Sequence, residues 1–248
     1  MVRIFYRIFR EFVYLYEFLK GSFICTNFQK VRTFTRTELN HMSIRAVLTG
    51  DIVNSSGLSE TAEKKLHQEI PELFIAHKFE FYRGDSFQAY IKQPQAALRL
   101  ALLCRAVAIS LSQEQETVSS DIRISIGIGK TETQVKTLKT AKGEAFVLSG
   151  RAFDEMTKSG TRLAITTIEP LANEGLQVIA DYLNAIFGVL TSKQAEVIFE
   201  LLQGKTQQAV ATRLKKTKST IHQRVTSGRW PEIERLLQQY ENIVNKLT

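Results

Sequence analysis

The clearest alternation in the chain runs over Asp121–Lys130, where Ile122, Ile124, Ile126 and Ile128 fall on one face and Arg123 and Ser125 on the other. A period of two predicts a strand with one buried side. Gly127 and Gly129 interrupt its polar face and leave room for a ligand or another backbone to approach. Ile44–Thr49 reads as a buried strand that ends at Gly50-Asp51, and a helix follows from about Leu58 to Ala76, with Ser56 or Ser59 as its N-cap. Phe79–Arg83 and Ser86–Ile91 alternate around Gly84-Asp85 as the arms of a hairpin do. Pro94 opens a strongly apolar helix through Leu111. Residues 143–158 read as a helix, Arg162–Thr167 as a strand and Leu171–Phe187 as a helix. Strand, helix, hairpin, helix, strand is the order of a ferredoxin-like or palm core, so the fold class is α+β, extended by one further helix and strand.

The pattern changes after residue 188. Four short helical segments follow: Ser192–Gln203 closed by Gly204, Gln207–Leu214 capped by Thr206, Lys218–Ser227 capped by Thr217, and a last helix from Pro231 to about Lys246. Val210, Ala211, Leu214, Ile221 and Val225 are spaced as the inner positions of a helix-turn-helix, similar to that of sigma-factor region 4. Lys215 stands where such turns usually place glycine, and Lys216 where a small hydrophobe is usual. Both are expected to shorten or reshape the turn's contact with the core. Trp230 is expected to be a packing anchor for the last helix.

Charge sharpens this division. Residues 187–248 carry ten Lys/Arg against five Glu, while residues 42–186 are close to neutral. Between Leu201 and Pro231 there are seven Lys/Arg and no acidic residue. Such a surface suits an anionic polymer, with duplex DNA first. On the third of these helices Lys218, Ser219, His222, Gln223 and Thr226 point away from Ile221 and Val225. The expected DNA contacts are Lys216, Lys218, Ser219, His222, Gln223 and Arg224, with Ser219 and Gln223 at base edges and Lys216 and Lys218 at phosphates. A small helical bundle that binds protein is the alternative.

Residues 1–41 hold seven of the fifteen Phe, three of the seven Tyr, seven Lys/Arg and three Glu. Charges at Arg7, Arg10, Glu11 and Glu17 break the apolar runs, so neither a spanning helix nor a signal peptide is expected. A basic membrane-surface helix is one reading. The preferred expectation is that Met42 is the biological start and that residues 1–41 are translated upstream sequence. Two cysteines, Cys25 and Cys104, define no disulfide framework and fit a reducing cytoplasm, with Cys104 a small buried hydrophobe. The four histidines have no ligand spacing.

Two aspartates, Asp51 after Gly50 and Asp85 after Gly84, would meet on adjacent strands in this topology. Here the chain resembles the class III nucleotidyl cyclase and GGDEF superfamily. Gly50-Asp51-Ile52-Val53 is similar to the strand bearing the first metal-binding aspartate, and Arg83-Gly84-Asp85-Ser86-Phe87 to the hairpin bearing the second. Arg123–Gly129 resembles the following core strand, and Gly143–Arg151 the helix that carries a transition-state arginine. In layout the chain over about 44–245 resembles the bacterial SatD family, which joins such a domain to a C-terminal helix-turn-helix. The resemblance implies Asp51 and Asp85 as Mg²⁺ ligands, Arg151 as a catalytic guanidinium, and phosphate on backbone N–H groups near Val53–Gly57.

The departures are Val147 in place of a ribose-orienting asparagine, Phe81 in place of a purine-selecting lysine, and Ser86 in place of the second acid of a GGDEF signature. Together they favour a degenerate site. The expectation is therefore a cytoplasmic, homodimeric bacterial-type protein of two domains, 42–188 and 189–248. It would bind DNA as a transcriptional regulator, tuned by a nucleotide, with no membrane partner. Its rivals are a Mg²⁺-dependent cyclase-type enzyme and a protein-interaction module.

Overall fold

The computed structural model describes residues 42–53, 59–82, 84–112, 120–133 and 135–248. The expectations about residues 1–41, and about phosphate on the N–H groups of residues 54–57, lie outside them.

Five strands form one mixed sheet in the order β2-β3-β1-β4-β5, with β1 Met42–Val53, β2 Lys78–Tyr82, β3 Ser86–Ile91, β4 Asp121–Glu132 and β5 Leu163–Thr167. β1 is antiparallel to both β3 and β4, and β2 and β3 form the expected hairpin. β5 joins β4 in parallel. The first four strands thus have the order and polarity of a ferredoxin-like palm, and the fold is α+β.

The main core lies on the sheet face that carries Leu48, Ile52, Phe87, Ile91 and the four alternating isoleucines of β4, all buried. Helices α1 Glu60–Leu73 and α2 Ala97–Leu111 cover this face. Ser59 caps α1 by accepting from the Ala62 amide at 3.3 Å, and Glu60 and Glu63 sit in its first turn, where the helix dipole favours negative charge. α2 is apolar on nearly every side because it is wrapped on nearly every side. Pro94–Leu111 is long and apolar enough to cross a membrane, yet 72% of it is buried inside the fold.

α3 Glu144–Ser159 lies on the opposite face, over β4, β1 and β5. The glycines of β4 explain how close it comes. A Cβ on Gly127 would stand 2.3 Å from the Ala145 carbonyl oxygen, and one on Gly129 would stand 2.8 Å from Glu144 Cβ. Of the two partners that the glycines were expected to admit, a backbone takes the place: the first turns of α3. Beneath α3 runs a polar row. Ser149 Oγ donates to Thr49 Oγ1 at 2.7 Å, Gln88 Nε2 donates to the same oxygen at 3.3 Å, and Ser125 Oγ donates to the Ser149 carbonyl at 2.8 Å. These hydroxyls are shielded from water and satisfy one another.

α4 Pro170–Phe187 packs on β5, and α5 Ser192–Leu202, α6 Gln207–Arg213, α7 Lys218–Ser227 and α8 Trp230–Asn245 complete the chain. The main core does not stop at residue 188. Ala195, Ile198 and Leu202 of α5 and Ile233, Leu237, Tyr240 and Val244 of α8 belong to the same apolar cluster as α2 and the sheet. Tyr240 donates to the Pro94 carbonyl at 2.7 Å, and Arg99 of α2 donates to the Leu202 carbonyl at 3.2 Å. A second, smaller cluster of Val197, Leu201, Val210, Ala211, Ile221 and Val225 holds α5, α6 and α7 together, and Trp230 packs against both clusters.

One buried charge stands out. Arg105 of α2 is fully buried and pairs with both carboxylate oxygens of Asp121 at 3.1 and 2.7 Å. It also donates to Asn184 Oδ1 at 3.2 Å, and its guanidinium lies 4.9 Å from the centre of the Phe187 ring. Asn184 in turn donates to the Leu163 carbonyl, so the network ties α2, α4, β4 and β5 at one end of the sheet.

Candidate functional site

Two places carry chemistry. The first is the aspartate corner. Asp51 was expected at a strand end, but β1 continues through Val53, so Asp51 lies inside the strand. It faces Ser86 on β3 and Arg123 on β4. Asp85 sits beside it in the hairpin turn, where its carbonyl accepts from the Ile52 amide at 3.0 Å. The two aspartates are therefore diagonal neighbours. Burial lifts the Asp51 carboxyl above the ordinary carboxylate range, Arg123 opposes that shift, Asp85 adds to it and Arg162 opposes it.

Arg123 is the residue that sequence reasoning missed here. Its Nη1 lies 3.4 Å from Asp51 Oδ2, with both side chains mostly shielded from water. Asp51 Oδ1 and Arg123 Nε are buried with no hydrogen-bond partner among the described residues. A resident Mg²⁺ does not fit this donor set as it stands. The ion needs a near-octahedral shell of oxygens, one Asp51 oxygen already faces a guanidinium, and no group of three or more His, Cys, Asp or Glu side chains suited to a metal gathers among the described residues. Arg151 is exposed on α3, two residues beyond the buried Ser149 and so about 200° around the helix from the face that meets the sheet. Val147 is also exposed, while Phe81 lies among Phe79, Phe87 and His67.

The second place is the pair of short helices α6 and α7, where a helix-turn-helix was expected. Thr206 and Thr217 cap their helices by accepting from the Ala209 and Thr220 amides at 3.3 and 3.1 Å. Ile221 and Val225 turn inward, leaving Lys218, Ser219, His222, Gln223 and Thr226 exposed on the far side of α7. The turn is regular, contrary to expectation. The Lys216 amide donates to the Ala211 carbonyl at 3.0 Å and the Lys215 amide to the Thr212 carbonyl at 3.3 Å, which is the Schellman closure. Lys215 itself takes the left-handed conformation that glycine would take, with φ 51°. Leu214 supplies the contact with the small core, so the two lysines stay exposed. The distortion appears as backbone strain and leaves the packing intact. Lys215→Gly is accordingly expected to stabilise the protein by about 1 kcal/mol, read as a raised urea midpoint with an unchanged slope.

Ion pairs sort the seven basic residues. Glu200 is buried on α5 and holds Lys205 at 2.6 Å and Arg213 at 3.0 Å. Arg224 is drawn back to Glu196 at 3.5 Å, and Arg229 pairs with Glu232 at 3.2 Å. Lys215, Lys216 and Lys218 make no ion pair among the described residues, and they cluster at the turn and the first residue of α7. Proximity in sequence suggested one continuous basic surface. The acids that divide it lie outside that stretch, on α5 and α8.

No protein-family profile matches the chain, and no curated protein sequence matches it. Among solved structures, the chain is similar to a bacterial light-regulated adenylyl cyclase, at 17% identity and a TM-score of 0.36 over 50% of this chain and 43% of that one. It is also similar to the active GGEEF domain of a diguanylate cyclase from Vibrio cholerae, at 12% identity and a TM-score of 0.36 over 54% of this chain and 86% of that one. The match thus spans less than half the length of the light-regulated cyclase.

Proposed function

We propose that this chain is a DNA-binding transcriptional regulator of SatD-like layout, in which α7 reads the major groove and the palm domain serves as a scaffold rather than a cyclase. The observation that carries this reading is the lysine trio. Lys215, Lys216 and Lys218 stand unneutralised at the turn into α7, next to the exposed Ser219, His222, Gln223 and Thr226. Cations at the entry of a reading helix meet the backbone phosphates that flank the groove, while the polar face beyond them meets base edges. Twofold pairing is part of the proposal, since a palindromic site requires two reading helices.

The electrostatics make the test quantitative. Three phosphate contacts from each protomer of the pair predict a slope of about −5 in log affinity against log salt, because each neutralised phosphate releases close to one counterion. Fluorescence anisotropy with a random-sequence duplex at 50–200 mM salt reads that slope. Replacing Lys216 and Lys218 with alanine is expected to flatten it by about 4 and to weaken binding at 50 mM salt at least tenfold. Arg224→Ala is expected to change the slope far less, because its charge is already spent on Glu196. Absence of duplex binding at 50 mM salt would sink the proposal. Turnover of a nucleoside triphosphate that is lost in Asp51→Ala would replace it with the enzyme reading.

A further inference from the structure

We infer that α4 carries the surface on which two copies of this chain pair, its exposed apolar stripe packing against the same stripe of a parallel, twofold-related α4. The helix has two apolar faces. Leu176, Ile179, Ala180, Leu183, Ile186 and Phe187 bury the first against the fold. Leu171, Val178, Tyr182 and Ala185 share the second, and all of them are exposed. They fall within about 60° of one another around the helix and span about 20 Å along it. Val189 continues the stripe just past the helix end. Leu171 is 81% exposed, Val178 67% and Val189 77%, at positions where a helix with one face to bury would place charges. Of the seven large apolar side chains exposed among the described residues, five lie between Ile168 and Val189. Apolar residues scattered singly need no partner, whereas a contiguous patch marks an interaction site.

Spacing and charge name the occupant. From Val178 the stripe steps by four, three and four residues, through Tyr182 and Ala185 to Val189. That alternation is the seam of two helices packed side by side, and a copy of the same helix fits it. One flank of the stripe is acidic, with Glu174 and Asp181 exposed and no Lys or Arg in α4. Helix α8 lies along the other flank. A Cβ on Gly175 would meet Ile243 at 3.2 Å, and Lys246 borders the same cleft as Leu171 and Gly175. Arg229, just before α8, donates to the Tyr182 hydroxyl and lies 5.1 Å from the centre of its ring. The two cations therefore stand near the levels of Glu174 and Asp181, on the opposite side of the stripe. In a parallel pair about a twofold axis running along the helices, each flank meets the other flank of the second copy. Glu174 then faces the partner's Lys246, and Asp181 the partner's Arg229. An antiparallel pair would set acid beside acid. Glu174 and Lys246 make no ion pair among the described residues, so both charges are free for that contact. A single two-helix seam buries less than the roughly 800 Å² per partner of a standard interface, so association in the micromolar range is expected. This pairing would serve the DNA-binding reading, but it does not rest on it and is measured without nucleic acid.

Sedimentation velocity on the whole chain, from about 1 to about 100 µM, tests the pairing. Wild type is expected to pass from monomer to dimer over that range. Val178→Lys, at an exposed position, is expected to stay monomeric with an unchanged thermal midpoint. Glu174→Lys and Lys246→Glu each bring like charges together twice per pair, and each is expected to weaken association about tenfold. An equimolar mixture of those two variants is expected to recover wild-type strength, because the mixed pair restores opposite charges at both contacts. A wild type that stays monomeric at about 100 µM overturns the inference; a lowered thermal midpoint in Val178→Lys would then show that another part of the chain covers the stripe. It is also overturned by a dimer that Val178→Lys leaves intact, or by a mixture that associates no more tightly than its components.

Discussion

Gly127→Ala is expected to lower the unfolding free energy by at least about 3 kcal/mol, or the thermal midpoint by roughly 6–12 °C. The added methyl group would lie 2.3 Å from the Ala145 carbonyl oxygen, 2.4 Å from the Ser149 amide nitrogen and 3.0 Å from Ser149 Cα. All three atoms are backbone, so no rotamer change relieves the clash. Helix α3 would have to lift from the sheet, and the hydrogen bonds among Thr49, Ser125 and Ser149 would be lost with it. Gly150 provides the control within the same helix. A Cβ there meets nothing within 4 Å, and alanine is a better helix former by 0.5–1 kcal/mol, so Gly150→Ala is expected to stabilise by about that amount. Urea denaturation of the two variants should move in opposite directions. Equal shifts of the same sign would contradict the tight approach of α3.

Arg105→Met carries the second large effect, a loss of about 3 kcal/mol or more. The guanidinium is fully buried, and its removal strands the Asp121 carboxylate, which is only 13% exposed. Breaking such a pair from one side costs far more than replacing both partners with apolar groups. The double variant Arg105→Met/Asp121→Leu should therefore recover most of the loss, and the resulting cycle of unfolding free energies isolates the coupling. If the double variant is no more stable than the single, the cost comes from the packing of Arg105 against Phe187 instead.

How much of this was visible in the sequence depends on how local each signal is. The isoleucines of β4 alternate without a break, and all four are fully buried. The N-cap threonines of α6 and α7, Thr206 and Thr217, act where their spacing put them. Asp51 was harder. A glycine-aspartate pair reads as a turn, and only the pairing of β1 with a twelve-residue β4 shows that the strand continues through it. Arg123 was visible as a polar position of β4, but its partner depends on register, which the pattern of either strand alone leaves open. Arg105 was hidden by its neighbours, since one arginine in an apolar helix barely alters the hydrophobic period. Lys215 was recognised as a departure, but the direction of its effect was misjudged: the backbone absorbed the strain and the turn survived.

The apolar cluster that runs from the sheet through α2 into α5 and α8 has a consequence for how the molecule can be taken apart. Helices α6 and α7 are not a detachable cassette on a swivel. A chain cut after Phe187 would leave one flank of α2 bare, and a chain begun at Leu190 would present the inner side of α5 and α8 to water. Graft or truncation at that seam trades away one cooperative body for two incomplete ones.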